Sequence, residues 1–231
     1  MKKIDLRDFI NFLINPSQEE HFEINSISIF LRLVWKSFLI LVLIDIISGI
    51  LIVLPLRYFN LFPSLKVISF TFYNILKISL LFPIIEELIF RLPLKIYKIN
   101  LATSLSLILF LVLNKWCFDN VYLSGSFSLV LFLLILLGIK GEFKVLNKID
   151  ASLRKPFWIF FYFQALVFGF LHLTNYILDF RYYYLFPFIV ISYITKGCFF
   201  GYLRVRFTYG IYLSIAAHIA FNSIYCFLIS W

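Results

Sequence analysis

Residues 37–56 read SFLILVLIDIISGILIVLPL, a run in which Asp45 is the only ionisable side chain. About 20 consecutive apolar residues are needed for an α-helix to cross the hydrocarbon core of a bilayer. Lipid offers no hydrogen-bond partner to an unpaired backbone, so a spanning segment must be a helix or part of a closed barrel. A run without polar alternation is not a barrel strand. The stretch 37–56 therefore predicts a transmembrane helix.

Similar apolar runs follow each other along the whole chain. They predict helices near 33–56, 67–93, 100–118, 122–139, 156–176, 183–203 and 209–231. Of the 231 residues, 62% are hydrophobic and only 14% are charged, and the mean hydropathy is +0.96. Such a composition cannot cover a soluble domain with polar side chains. We therefore predict an all-α, polytopic membrane helix bundle of about seven transmembrane helices, with residues 1–231 as a single integral membrane domain.

Basic residues are distributed unevenly between the two sides of this predicted bundle. With a cytoplasmic N-terminus, fifteen of the 21 Lys and Arg residues fall on the inner side, several of them in the loop 140–155. The outer side holds Arg57, Lys66, Lys115 and Arg181. Cytoplasmic loops carry an excess of Lys and Arg, so residues 1–30 are predicted to be cytoplasmic. Because the +9 net charge forms no single basic face, we expect membrane lipid and no nucleic acid as a partner.

A short segment before the first long apolar run also has helical spacing. Its apolar residues are spaced to form one side of a helix lying on the membrane surface. These residues are Ile4, Leu6, Phe9, Ile10, Leu13 and Ile14.

Ionisable side chains inside the predicted spans are the candidates for function. A charge in hydrocarbon costs a few kcal/mol or more, so each needs a partner or a role. They are Asp45, Lys77, Glu86, Glu87, His172, Lys196 and His218, with Asn222 as a neutral companion. The sequence assigns no role to Asp45, Lys77 or Lys196.

Residues 83–91 read PIIEELIFR. Glu87 and Arg91 are four residues apart, with the acid toward the N-terminus, which is the favourable order for an ion pair on a helix. Glu86 points about 100° away from Glu87 and has no such partner, which suits it to general acid–base chemistry. In the alternative interpretation both acids join structural ion pairs, for instance Glu86 with Lys196.

Two later segments carry histidines. Phe168 precedes His172 by one helical turn, although a single histidine on an apolar helix is more often a structural hydrogen-bonding residue than a catalyst. His218 and Asn222 are four apart and share a helix face. They are spaced either to direct two donors at one oxyanion or to join helices by polar contacts.

The three patterns, EExxxR at 86–91, FxxxH at 168–172 and HxxxN at 218–222, occur in this order on hydrophobic helices. They resemble the CAAX protease and bacteriocin-processing family, also called CPBP or Abi, of intramembrane endopeptidases. The likeness covers roughly residues 75–225. Residues 99–139 depart from the family pattern, because they place a predicted two-helix hairpin between the first and second motifs.

The resemblance implies a glutamic mechanism, in which Glu86 and His172 activate a water that attacks the scissile carbonyl. His218 and Asn222 would then stabilise the oxyanion, while supporting residues hold Glu86 in place. These supporting residues are Glu87, Arg91 and Phe168. The resemblance also implies a peptide or protein substrate at the membrane, no cofactor, and a location in the bacterial cytoplasmic membrane.

Three alternatives stay open at this point. Glu86, His172 and His218 have the donor types of a zinc site with water in the fourth position. A non-catalytic immunity or scaffold protein would keep the same fold and bind a partner without cutting it. A small transporter would also explain charges inside spans, but no matching pair of broken segments marks inverted repeats.

Motifs of other enzyme classes are absent from the sequence. There is no HExxH zinc motif, no GxGD motif and no plausible GxSx serine with a helix-borne histidine. The three cysteines, Cys117, Cys198 and Cys226, have no paired spacing, so we interpret them as small buried residues.

Overall fold

The computed structural model describes residues 6–18, 22–64, 66, 71–95, 97–116, 120–138, 157–177 and 180–229. Predictions that concern Ile4, Cys117 or the loop 140–155 fall outside these described residues. Within them the regular secondary structure is helical, apart from one isolated parallel bridge between Phe22 and Phe207. The all-α prediction is confirmed.

Eight helices can be numbered in the described part of the chain. They are α1 (Leu6–Ile14), α2 (Ile27–Tyr58), α3 (72–90), α4 (Lys98–Trp116), α5 (Val121–Gly138), α6 (Phe157–Leu171), α7 (Phe186–Arg206) and α8 (Gly210–Ile229). Five of the described helices, α2, α4, α6, α7 and α8, are long and apolar enough to cross a membrane. Helix α5 contains a shorter apolar stretch, and α3 carries three ionisable residues along its length. The chain is an integral membrane protein built as a helix bundle.

Helices α2 and α3 are each interrupted by one π-helical turn. In α2 the turn is Gly49–Val53, and in α3 it is Lys77–Leu81. Helix α2 begins six residues earlier than the predicted span, because Ser26 caps it by accepting a hydrogen bond from the Ile29 amide at 3.3 Å. Thr71 caps α3 in the same way.

Helices α6, α7 and α8 carry the second and third motifs and form the centre of the bundle. The approach of α6 to α7 depends on Gly169, since a Cβ there would lie 2.3 Å from Cγ1 of Ile194. Small residues allow helices in a membrane to approach this closely. Gly169 therefore fixes the position of α6 three residues before His172.

Helix α1 packs onto this centre with two aromatic side chains. Phe9 and Phe12 are buried, and their rings make edge contacts with Phe199 and Phe161 on α7 and α6. Asp8 accepts a hydrogen bond from the Tyr202 hydroxyl at 2.7 Å. The placement of Phe9 on a membrane-facing side is therefore wrong, because aromatic packing turns it inward. The exposed apolar residues of α1 are Leu6, Ile10 and Ile14.

Helices α4 and α5 pack against each other and form the predicted hairpin. Ser104 on α4 donates a hydrogen bond to the Ile89 carbonyl at 2.8 Å, which joins the hairpin to α3. The interpretation of this α4–α5 hairpin as an insertion stays a prediction. Cys198 and Cys226 are buried, as expected.

Candidate active site

Glu87 is fully buried on the C-terminal part of α3, and three side chains surround its carboxylate. Ser214 donates a hydrogen bond to Oε2. His218 Nδ1 lies 3.0 Å from Oε1, and Arg91 Nε lies 3.9 Å from Oε2. The expected pairing with Arg91 is present, but it is the longest of the three contacts. Two side chains from α8 hold Glu87 more closely.

Glu86 differs from its neighbour in exposure and in partners. Its side chain is 30% exposed, whereas that of Glu87 is 0% exposed. Its Oε2 atom lies 3.7 Å from Nε2 of His218. Glu86 therefore has an ionisable neighbour, although the sequence predicted that it has no partner. The proposed pair with Lys196 is not formed, because the Lys196 ammonium donates to Asp45 at 2.8 Å.

Arg91 lies at the end of α3 with its guanidinium among aromatic rings. The side chain is 1% exposed. Its Cζ lies 4.3 Å from the centroid of Phe168, and 5.7 and 5.8 Å from those of Phe90 and Phe200. Attraction between a cation and ring faces is strongest where water is excluded. Phe168 therefore supports the arginine of the first motif from the helix that carries the second.

His172 begins a 3₁₀ turn, His172–Asn175, at the end of α6. Its Nδ1 lies 2.8 Å from the Phe168 carbonyl oxygen, which can only accept, so Nδ1 carries the proton in this contact. The neutral ring then presents Nε2 as an acceptor. Tyr193 stacks on the imidazole with a centroid distance of 4.3 Å, and Phe168 contacts it at 4.6 Å.

His218 connects the two acids and is 4% exposed. Its two ring nitrogens face Glu87 and Glu86 respectively. Phe200 stacks on the ring at 4.5 Å, and Phe168 contacts it edge-on at 6.2 Å. Phe168 thus touches both histidines.

Asn222 lies one helical turn beyond His218 and reaches a different partner. Its Nδ2 donates a hydrogen bond to the carbonyl of Ile78, in the π-helical turn of α3, at 3.1 Å. In this structure the donors of His218 and Asn222 therefore contact separate acceptors on α3. Both contacts nevertheless fix α8 against the helix that carries the two acids.

The three motifs thus meet at one place, although they are far apart in the sequence. The family "Type II CAAX prenyl endopeptidase Rce1-like" matches residues 68–224, about two thirds of the chain. The chain belongs to this Rce1-like family. No curated protein and no solved structure gives a match. The resemblance to CAAX proteases is confirmed, and the fold is that of a CAAX-type intramembrane protease.

Three residues of this Rce1-like site were missed by the sequence analysis. Ser214, Phe200 and Tyr193 contact Glu87, His218 and His172, respectively. Ser214 precedes His218 by four residues, so the helical spacing that joined His218 to Asn222 would also have selected it. Phe200 and Tyr193 lie in an aromatic-rich helix, where no pattern distinguishes them.

The zinc alternative requires three ligands around one point. Among the described residues of this Rce1-like chain, no group of three or more His, Cys, Asp or Glu side chains is arranged to hold a metal ion. Nδ1 of His172 contacts a backbone carbonyl, and Nδ1 of His218 contacts Glu87. These contacts leave Nε2 of each ring for a ligand, so a direct metal measurement has to decide the zinc alternative.

Proposed function

We propose that this protein is an intramembrane endopeptidase that hydrolyses peptide bonds of membrane-associated peptides or proteins with a water activated by Glu86. The family membership supports peptide hydrolysis. The observation that carries the role of Glu86 is the contrast between the two acids. Glu87 is enclosed by three partners, whereas the Glu86 carboxylate is the one that water and substrate can reach.

In the proposed reaction, the water lies between Glu86 and His172. Glu86 takes a proton from it as the water oxygen bonds to the carbonyl carbon, and later returns that proton to the leaving amine. Nε2 of His172 accepts the other water hydrogen and fixes its orientation. This assignment agrees with the contact of Nδ1, which makes Nε2 the acceptor.

The carbonyl oxygen becomes negatively charged as the water adds. We assign Asn222 and His218 to stabilise this oxyanion. The Asn222 carboxamide has two N–H donors, of which Ile78 uses one. For this role both ring nitrogens of His218 must carry protons, because Nδ1 donates to the Glu87 carboxylate and Nε2, which faces Glu86, would donate to the oxyanion.

A peptide-cleavage assay on the purified protein in lipid nanodiscs tests the proposal. Peptides with prenylated and unprenylated C-termini should both be offered, because the family name refers to prenyl substrates. We expect Glu86→Gln to lower cleavage on the order of 10²- to 10⁴-fold, the usual contribution of general acid–base catalysis. Glu23→Gln, which changes an exposed acid before α2, is the matched control.

Undiminished cleavage by Glu86→Gln would contradict the assignment. Wild-type protein that binds peptides but never cuts them would favour the scaffold or immunity alternative. To identify natural substrates, membrane peptides from cells with the wild-type protein and with Glu86→Gln can be compared directly.

Metal dependence needs a separate measurement. We expect activity to survive exhaustive dialysis against a chelator and the purified protein to contain no stoichiometric zinc. Activity that is lost with the metal and restored by zinc would refute the glutamic mechanism and make Glu86 a ligand.

A further inference from the structure

The hydrogen-bond pattern of α3 changes just before the two acids. The Phe82 amide donates to the Lys77 carbonyl, five residues back, which is the spacing of a π-helix rather than an α-helix. Pro83 follows directly. A proline has no N–H and cannot continue a helical ladder.

This pattern leaves the Ile78 carbonyl without a partner in its own helix. The α-helical donor to Ile78 would be Phe82, but that amide is used by Lys77. The π-helical donor would be residue 83, which is a proline. The Asn222 side chain from α8 supplies the missing hydrogen bond at 3.1 Å. A carbonyl freed by Pro83 therefore holds the carboxamide of the HxxxN motif.

Helix α2 contains the same pattern at a place remote from the acids. The Leu54 amide donates to the Gly49 carbonyl, and Pro55 then stands where the π-helical donor to Ile50 would be. In the described part of the chain no side chain is recorded as donating to the Ile50 carbonyl. A π-turn before a proline thus provides a free carbonyl, but only in α3 does a motif residue occupy it.

We propose that Pro83 is a positioning residue for the reaction, acting through the Ile78 carbonyl and Asn222. The carboxamide is planar, so fixing one N–H of Nδ2 also fixes the direction of the other. The second N–H is then oriented for the oxyanion before substrate arrives. A donor oriented in advance needs no reorganisation during the reaction, which is the basis of oxyanion stabilisation. This inference rests on the proposed endopeptidase function and extends it to Pro83 and Ile78.

Pro83→Ala tests the inference, because the new amide gives the helix a donor of its own. At π-helical spacing the new amide at position 83 donates to the Ile78 carbonyl, and if the turn relaxes fully to α-helical spacing the Phe82 amide donates to it instead. Both changes give Ile78 a backbone partner and release Asn222. We expect kcat to fall about tenfold, which is less than the roughly 10²- to 10³-fold loss expected for removing the oxyanion donor altogether. KM should not change. The thermal unfolding temperature should not fall, since alanine is favourable within a helix.

A double-mutant cycle with Asn222→Ala measures the dependence directly. The double variant should lose no more activity than Asn222→Ala alone, because Pro83 acts only through Asn222. Unfolding temperatures should show the same coupling, since Asn222→Ala removes a hydrogen bond that Pro83→Ala has already released. Pro55→Ala is the matched control, and its cleavage rate should equal that of the wild type.

Other results of these measurements would contradict the role of Pro83. Losses that multiply in the double variant would overturn the inference, as would equal losses in Pro83→Ala and Pro55→Ala. A Pro83→Ala loss larger than that of Asn222→Ala would mean that the acids themselves have moved, which also overturns it. Coupling in stability without coupling in kcat would show that the contact is only structural, which also overturns the inference.

Wild-type protein that cleaves nothing would refute the proposed function. The stability cycle would still test whether the hydrogen bond of Asn222 depends on Pro83.

Discussion

Two groups of ionisable side chains in the described part of this bundle are arranged differently. Asp45 on α2 and Lys196 on α7 form a one-to-one pair with a direct hydrogen bond of 2.8 Å. The other group places two adjacent acids, Glu86 and Glu87, near Arg91 and His218 at distances from 3.0 to 3.9 Å. One acid of this group is fully enclosed and the other is partly exposed.

If the proposed function holds, this difference separates structural charges from reactive ones. A charge with one close partner joins two helices and offers nothing to a substrate, as Lys196 does between α7 and α2. A second carboxylate beside one that is already satisfied remains available to accept a proton. Glu86 is in this position because Glu87 takes the Ser214 hydroxyl and His218 Nδ1.

The largest change in stability is expected when the enclosed acid loses its charge. Glu87→Gln leaves the Arg91 guanidinium without its carboxylate partner at 1% exposure. Removing one partner of a buried ion pair costs about 3–5 kcal/mol in the free energy of unfolding. Glu86→Gln, at a partly exposed position, should change stability far less while it abolishes cleavage. Unfolding in detergent and peptide cleavage should be measured side by side for both variants.

Equal stability of the two variants, with cleavage lost in both, would show that the two acids share one catalytic role. Arg91→Met combined with Glu87→Gln provides the control. Because it removes both charges, the double variant should be more stable than Glu87→Gln alone.

A smaller change is expected from the Asp45–Lys196 pair, and it should be asymmetric. The Lys196 side chain is 9% exposed and the Asp45 side chain is 33% exposed. Asp45→Leu therefore leaves a buried ammonium and should cost about 3 kcal/mol. Lys196→Met leaves a carboxylate that the protein encloses less closely and should cost about 1.5 kcal/mol, the scale of one hydrogen bond to a charged group.

Lys196 also contacts the aromatic ring that stacks on His172. Its ammonium lies 4.6 Å from the centroid of Tyr193, the ring that stacks on His172. Cleavage by Lys196→Met should therefore fall a few-fold, whereas stability should recover in the double variant with Asp45→Leu. Equal costs for the two single variants would show that exposure does not govern this pair.

The helices and the motif residues were predictable from the sequence because both depend on local spacing. Apolar runs located the helices, of which five in the described part of the chain are long and apolar enough to cross a membrane. Four-residue separations placed Glu87 beside Arg91. The exposed apolar side of α1 was harder to predict. Periodicity alone does not show whether Phe9 faces lipid or the aromatic rings of α7.

The contacts between helices were not predictable in this way. The partner of Glu86 is His218, 132 positions away, and the partner of Lys196 is Asp45 rather than Glu86. Which charges pair depends on the depth and rotation of each helix, and one π-turn changes both for every residue that follows. The turn at Lys77–Leu81 lies directly before the acids, so their orientation could not be derived from α-helical geometry alone.

A change in stability similar to that of Lys196→Met is expected at Ser214, whose hydroxyl donates to Glu87. Ser104 provides a matched comparison, since it is also buried and also donates to α3, but to the Ile89 backbone carbonyl. A hydrogen bond to a charged group contributes about 1.5–3 kcal/mol, and one between neutral groups about 0.5–1.5 kcal/mol. Ser214→Ala should therefore destabilise the protein more than Ser104→Ala does.

Ser214→Ala should also lower cleavage a few-fold with KM unchanged, because Glu87 then holds His218 less firmly. Ser104→Ala should leave cleavage as in the wild type, since Ser104 contacts neither acid. Chemical unfolding in detergent and steady-state cleavage are the two measurements. If the two serines cost the same in stability, Glu87 would behave as a neutral acceptor. The contrast between an enclosed, charged Glu87 and a reactive Glu86 would then have to be abandoned.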